Sequence, residues 1–243
     1  MMNLRKQILN LATLTVMALP CTAYAGDWKY AATIYLYTPE STTAIGPVET
    51  TLSFSDALDN LDFAFMGAFE ANNGRWGLIA DYMLTDLSFG NSTTGPAFSG
   101  VNTSLKTQIF NGYATYRAYQ NPKVTLDLAA GIRWFNTATD ITLLPGVLPG
   151  RTSSVDEDWV DPVIGIRARF ALTEKLSGTV FADYGGFRSG SESWQTLLTL
   201  GYNINENWVA RAGYRYISVD HTINGTDFSF SQSGPIFGAT YSF

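Results

Sequence analysis

Ten segments of this 243-residue chain alternate apolar and polar residues at period two, and that pattern limits the fold more than any other feature. From Val124, one face carries Val124, Leu126, Leu128, Ala130, Ile132 and Trp134, against Thr125, Asp127, Ala129, Gly131 and Arg133. From Val160, Pro162, Ile164, Ile166, Ala168 and Phe170 follow on one face, with Asp161, Val163, Gly165, Arg167 and Arg169 on the other. From Trp208, Ala210, Ala212, Tyr214 and Tyr216 oppose Val209, Arg211, Gly213 and Arg215. The last segment sets Pro235, Phe237, Ala239, Tyr241 and Phe243 against Gly234, Ile236, Gly238, Thr240 and Ser242. Residues 28–36, 63–71, 76–84, 105–119, 176–184 and 194–202 behave similarly, 105–119 less tidily. Successive strand residues point to opposite faces, so each segment reads as a β-strand with one apolar side.

The polar face decides which side is outside. It is rich in Gly, Ser and Thr, with charges spaced along it. A soluble barrel would point its apolar face inward; a polar interior with an apolar exterior is the arrangement of a barrel in lipid. Charged residues make up only 15% of the chain and aromatics 14%, which suits a lipid-facing surface. Each of the six tryptophans, Trp28, Trp76, Trp134, Trp159, Trp194 and Trp208, falls at or near an expected strand end, as in the aromatic girdles at membrane interfaces. Trp208 to Tyr216 spans about 26 Å along a strand, or roughly 20 Å of height once tilted, close to the apolar band of such barrels.

The connections alternate in length. Residues 72–75, 120–123, 173–175 and 204–207 are short and carry Asn, Gly, Pro or Thr turn chemistry. Residues 38–62, 90–104, 137–158, 187–193 and 221–229 are longer and are expected as loops. Short turns on the periplasmic side and long loops outside are the asymmetry of outer-membrane barrels. The reading is an all-β, antiparallel up-and-down barrel of ten strands, with eight as the alternative and both termini in the periplasm. One helix is expected near 55–61, with Phe54, Leu58 and Leu61 on one face and Ser53 or Ser55 as cap.

Residues 1–25 read as an export signal: Arg5 and Lys6, an apolar run from Ile8 to Leu19, then Ala23-Tyr24-Ala25. The apolar run is shorter than the ~20 residues a membrane helix needs. The barrel is then residues 26–243, in the outer membrane. The lone cysteine, Cys21, lies in the signal, which excludes disulfides and thiolate metal sites from the mature chain. The mature chain keeps 13 basic and 21 acidic residues, a net charge of −8, which argues against nucleic acid as a partner. A monomer is expected.

The chain ends Tyr241-Ser242-Phe243. A terminal Phe with an aromatic two residues earlier resembles the signature that the barrel assembly machinery recognises in outer-membrane proteins. The whole mature chain resembles the small OmpA-like and OmpX-like barrel class. Residues 54–65, followed by Gly74-Arg75-Trp76-Gly77, are similar to a group of uncharacterised proteobacterial outer-membrane proteins. That resemblance implies an architecture and outer-membrane lipid and lipopolysaccharide as surroundings; it implies no catalytic residues.

The interior register collects acidic Glu70, Asp81, Asp127, Asp161 and Asp183 with basic Lys29, Arg117, Arg133, Arg167, Arg169, Arg211 and Arg215. Unpaired charges in a low-dielectric lumen are costly, so these are expected to pair and fill the barrel. The leading expectation is therefore a non-enzymatic barrel with a structural or surface-interaction role. A narrow channel lined by the excess arginines is the alternative. A rim enzyme built on His221 is the third. Barrel enzymes of the omptin-protease and lipid A deacylase kinds use a rim histidine, but no family motif surrounds His221. Its neighbour Asp220 also points to the opposite face of a strand, so it does not orient His221 as a base unless the strand has ended there. The trio Asp156, Glu157 and Asp158 reads as a solvated loop with at most weak Ca²⁺ contact, and Gly185-Gly186 precedes no helix that could hold a phosphate. No metal, cofactor or catalytic residue is expected.

Overall fold

The computed structural model describes residues 28–93, 95–223 and 225–243; the expected signal and its cleavage site lie outside them. Twelve strands and one short helix run in the order β1 (Lys29–Tyr37), β2 (Glu40–Ile45), β3 (Val48–Leu52), α1 (Phe54–Asp59), β4 (Leu61–Asn72), β5 (Trp76–Ser92), β6 (Phe98–Gln120), β7 (Val124–Pro145), β8 (Arg151–Ala171), β9 (Leu176–Arg188), β10 (Ser191–Asn203), β11 (Trp208–Ile223) and β12 (Thr226–Ser242). Every neighbouring pair is antiparallel, and β1 closes the ring on β12 from Ala31 opposite Ser242 to Tyr37 opposite Ile236.

The strand count differs from the sequence expectation, and the ladder explains how. β2 pairs with β12 from Glu40 opposite Ser233 to Ile45 opposite Phe228, the same register that β1 keeps. β1 and β2 are thus one strand interrupted at Thr38 and Pro39. Pro39 has no N–H to give the ladder, while the Thr38 amide still donates to the Pro235 carbonyl at 3.0 Å. Ten strands close the wall, β2 prolongs the first of them outward, and β3 folds back on β2. The connection expected as a loop with a helix is a hairpin followed by the helix. Ser53 caps α1, its hydroxyl accepting from the Asp56 amide at 3.1 Å.

The four short turns share one device. Asn73 Oδ1 accepts from the amides of Arg75 and Trp76, Asn121 Oδ1 from Lys123 and Val124, and Asn205 Oδ1 from Asn207 and Trp208. Thr173 Oγ1 does the same for Lys175 and Leu176. Each side chain satisfies two amides that the end of the ladder leaves free.

At the other end the wall rises well beyond a membrane. β6, β7 and β8 are 23, 22 and 21 residues long, about twice the ~10 a tilted crossing needs. The stretches 90–104 and 137–158, expected as loops, are therefore mostly strand. Both faces of these extensions meet water, so they carry threonine pairs such as Thr142–Thr152 (3.0 Å) rather than an apolar stripe.

Candidate functional site in the barrel interior

The outward faces fix where the membrane lies. Near the short turns, Trp76 packs on Tyr116 (ring centroids 4.9 Å) and Trp208 on Tyr241 (5.0 Å), with Trp28 exposed at the same end. Towards the other end, Trp194 stacks on Tyr216 (4.5 Å), and Tyr82, Phe110 and Trp134 stand opposite one another on β5, β6 and β7. Exposed Ile34, Leu78, Ile132, Ile164, Leu198 and Phe237 lie in the band between. Just above it the outward face turns polar: the Tyr82 hydroxyl donates to Gln108, Gln108 to Asn136, and Asn136 to Asp156.

Trp159 departs from the expected girdle. Val160 faces outward, so its neighbour points in; the Trp159 ring stacks on Phe135 (4.7 Å) and on His221 (4.4 Å, 6° between planes) inside the barrel.

The twelve interior charges fall into layers. Nearest the short turns, Arg167 forks onto both oxygens of Glu70 at 2.9 Å. Asp127 receives Arg117 (2.6 Å), Arg167 (3.0 Å) and Arg169 (3.1 Å), and Arg169 also lies 3.6 Å from Glu70. Arg211 donates from Nε to Thr240 Oγ1 at 2.8 Å and, among the described residues, has no carboxylate within 4 Å. Lys29 stands exposed at the mouth.

A second layer crosses the lumen. Arg215 donates to Asp81 (2.8 Å) and to Gln195 Oε1 (2.7 Å). Arg133 donates to Asp183 and to Asn111, both at 2.7 Å. Asp183 also accepts from the Tyr113 hydroxyl (2.6 Å) and Gln195 (2.6 Å), and Asp81 from the Tyr35 hydroxyl (2.5 Å). Asp161 completes the acidic set one step higher, where it accepts from the Ser191 hydroxyl at 2.7 Å. Charge-assisted bonds of this kind are the strong ones and rigidify a polar interior; Arg133 Nη1 and Asp161 Oδ2 are buried without a partner among the described residues. Sequence reasoning singled out the charges but not Tyr35, Asn111, Tyr113 and Gln195. Their place on the polar face was the available signal, and being uncharged they did not stand out.

Above the polar layers an apolar plug fills the section: Tyr37, Met83, Ile109, Phe135, Ile217, Val219, Phe228 and Phe230 are buried together. Below them a cavity of about 390 Å³ opens at the short-turn end, between Lys29, Asn72 and Ser242, and stops at Tyr35, Tyr113 and Arg215. His221 sits at the top of the plug with Nδ1 lacking a hydrogen-bond partner among the described residues. Asp220 lies on the opposite face, directly across from Ser229; the three residues line one rim pocket, but no hydrogen bond joins His221 to Asp220 or Ser229 among the described residues.

A closed antiparallel ring, an apolar band between two aromatic girdles and a polar, ion-paired interior define an outer-membrane β-barrel protein, and the cell outer membrane is where this chain resides. No family model matches the sequence, and no curated protein matches it. Among solved structures, the chain is similar to the outer membrane protease OmpT from Escherichia coli, at 12% identity and a TM-score of 0.55 over 90% of this chain and 98% of that one. Ail, the attachment invasion locus protein of Yersinia pestis, aligns at 12% identity and a TM-score of 0.41 over 89% and 98% of the two chains. The translocator domain of the autotransporter NalP from Neisseria meningitidis aligns at 12% and 0.39, over 89% and 88%. At such identities the likeness to OmpT is one of fold alone.

Proposed function

We propose that this protein is a non-enzymatic, non-conducting outer-membrane barrel whose working surface is the wall that rises outside the membrane. The observation that carries the reading is the double closure of the lumen. The Arg215–Asp81 and Arg133–Asp183 layer crosses it, and the apolar plug lies above. Small barrels near eight strands are filled by side chains, and open aqueous channels belong to barrels of 16 or more. A filled interior makes a rigid base, and β6–β8 carry that rigidity outward. Their tip, residues 146–150, holds Val147 with 78% of its surface exposed beside Leu148 at 50%, an apolar point of contact for a partner or for lipopolysaccharide.

Single-channel recording of the refolded protein in a planar bilayer tests the reading, with heat-modifiable gel mobility as the folding control. Silence from a folded barrel supports it. Steady salt-dependent steps that change when Arg167 or Arg211 is neutralised would replace it with a narrow channel. Activity lost in His221→Ala with an intact fold would replace it with a rim enzyme.

A further inference from the structure

The cavity at the short-turn end is blind, and its charge is not balanced locally. Two carboxylates line it, Glu70 in the lower layer and Asp81 at the roof; Glu70 is taken by Arg167 and Arg169 and Asp81 by Arg215, while Asp127 nearby is taken by Arg117, Arg167 and Arg169. Arg211 lines the same cavity, as does Lys29 at the mouth. Arg211 spends one donor on the Thr240 hydroxyl, and its two terminal nitrogens bond no protein acceptor among the described residues.

Deeper in, the lining changes character. Ile79, Phe181, Leu197 and Ile236 face the cavity below the closed roof. The space thus has a cationic waist near the periplasm and a partly apolar wall beneath the polar roof of Tyr35, Tyr113 and Arg215, within the roughly 300–1,000 Å³ typical of ligand sites. Barrels of this size can hold one small ligand. A guanidinium with free donors presents a fork that matches a carboxylate or phosphate, and apolar walls above it exclude a ligand that is charged throughout.

We propose that this vestibule binds one anionic amphiphile from the periplasmic side, its carboxylate or phosphate held by Arg211 and its short apolar body lodged against Phe181, Leu197 and Ile236. The ligand chemistry has two possible sources: a free carboxylate in the periplasm, or a single-chain phospholipid drawn from the inner leaflet.

The test uses the refolded mature barrel in phosphatidylcholine nanodiscs, titrated calorimetrically with octanoate, octanamide and lysophosphatidylglycerol against empty discs. Saturable one-to-one octanoate binding is expected in the native protein and in Arg211→Lys. In Arg211→Gln it should weaken about tenfold or more, the scale of one charge-assisted bond, with heat-modifiable mobility unchanged. Octanamide should bind correspondingly weakly. Tighter binding of lysophosphatidylglycerol than of octanoate, with the same Arg211 dependence, assigns the site to a lipid; the reverse order assigns it to a free carboxylate. Absence of saturable binding by either anion, equal binding of octanamide, or an unchanged Arg211→Gln overturns the proposal. None of these results bears on conductance, so the site and the surface reading fail separately.

Discussion

Arg215 and Asp81 stand 134 residues apart in the chain and meet at 2.8 Å inside the barrel. Arg215 is buried, and it also holds Gln195 and the Tyr35 hydroxyl. β11 and β5 have no shared ladder, so this contact ties opposite stretches of the wall through the lumen.

Breaking that pair on one side leaves an uncompensated charge in a low-dielectric space. Arg215→Met should therefore cost about 3–5 kcal/mol, while Arg215→Met with Asp81→Leu should recover most of the loss. Urea unfolding of the vesicle-inserted protein measures both. A double variant as unstable as the single one would show that the pair matters for packing rather than for charge.

How much of this was legible in the sequence depends on what each face touches. In β7, residues 124–134 read cleanly because lipid and lumen impose opposite polarities on neighbouring side chains. Beyond Trp134 the same strand continues to Pro145, but water wets both faces and the alternation fades, so it read as a loop. β2 and β3 were invisible for a related reason: Glu49, Thr50 and Thr51 are exposed and carry no apolar stripe. The interior charges were legible as a set. Their partnering was not, because Glu70 and Arg167 are 97 residues apart and period-two reading gives a face without a height. Trp159 was misplaced by counting tryptophans near strand ends; the outward parity of Val160 already assigned it to the inside.

Trp159 yields a second prediction. Variants that keep one tryptophan at 159 or at 194 should behave oppositely in vesicles of brominated phosphatidylcholine. Trp194 stacks on Tyr216 on the outward face at the membrane surface, so bromine should quench it strongly. Trp159 lies inside against Phe135 and His221, so its emission should be largely spared. Comparable quenching of both would place Trp159 in the girdle after all.

The turns yield a third. Asn205 Oδ1 accepts from the amides of Asn207 and Trp208 at 3.0 and 2.8 Å. Asn205→Ala leaves both without that acceptor and should cost about 1 kcal/mol, whereas Asn205→Asp, which keeps the oxygen, should cost less. The ordering of urea midpoints, native above Asp above Ala, is the readout. An alanine variant at the native midpoint would mean that water serves these amides equally well.

The last prediction concerns pH at the outer rim. Asp220 on β11 lies directly opposite Glu192 on β10, both pointing outward above the Trp194–Tyr216 girdle. Partial burial first, and the Glu192 carboxylate second, raise the Asp220 carboxyl above its ordinary value. A carboxyl raised in this way holds its proton more tightly in the folded state, so the pair costs stability when both groups are ionised. That cost is relieved as pH falls through the raised value. Like charges directly opposite on a sheet destabilise by up to about 1 kcal/mol, and solvent screening at this exposed site reduces the effect to about 0.2–0.5 kcal/mol. Glu192→Gln should therefore stabilise the barrel at pH 7 by that amount and give almost nothing near pH 3, where Asp220 is protonated with or without its neighbour. Urea midpoints at the two pH values decide it. An equal gain at both would trace the effect to the glutamine side chain itself and remove charge repulsion as its cause.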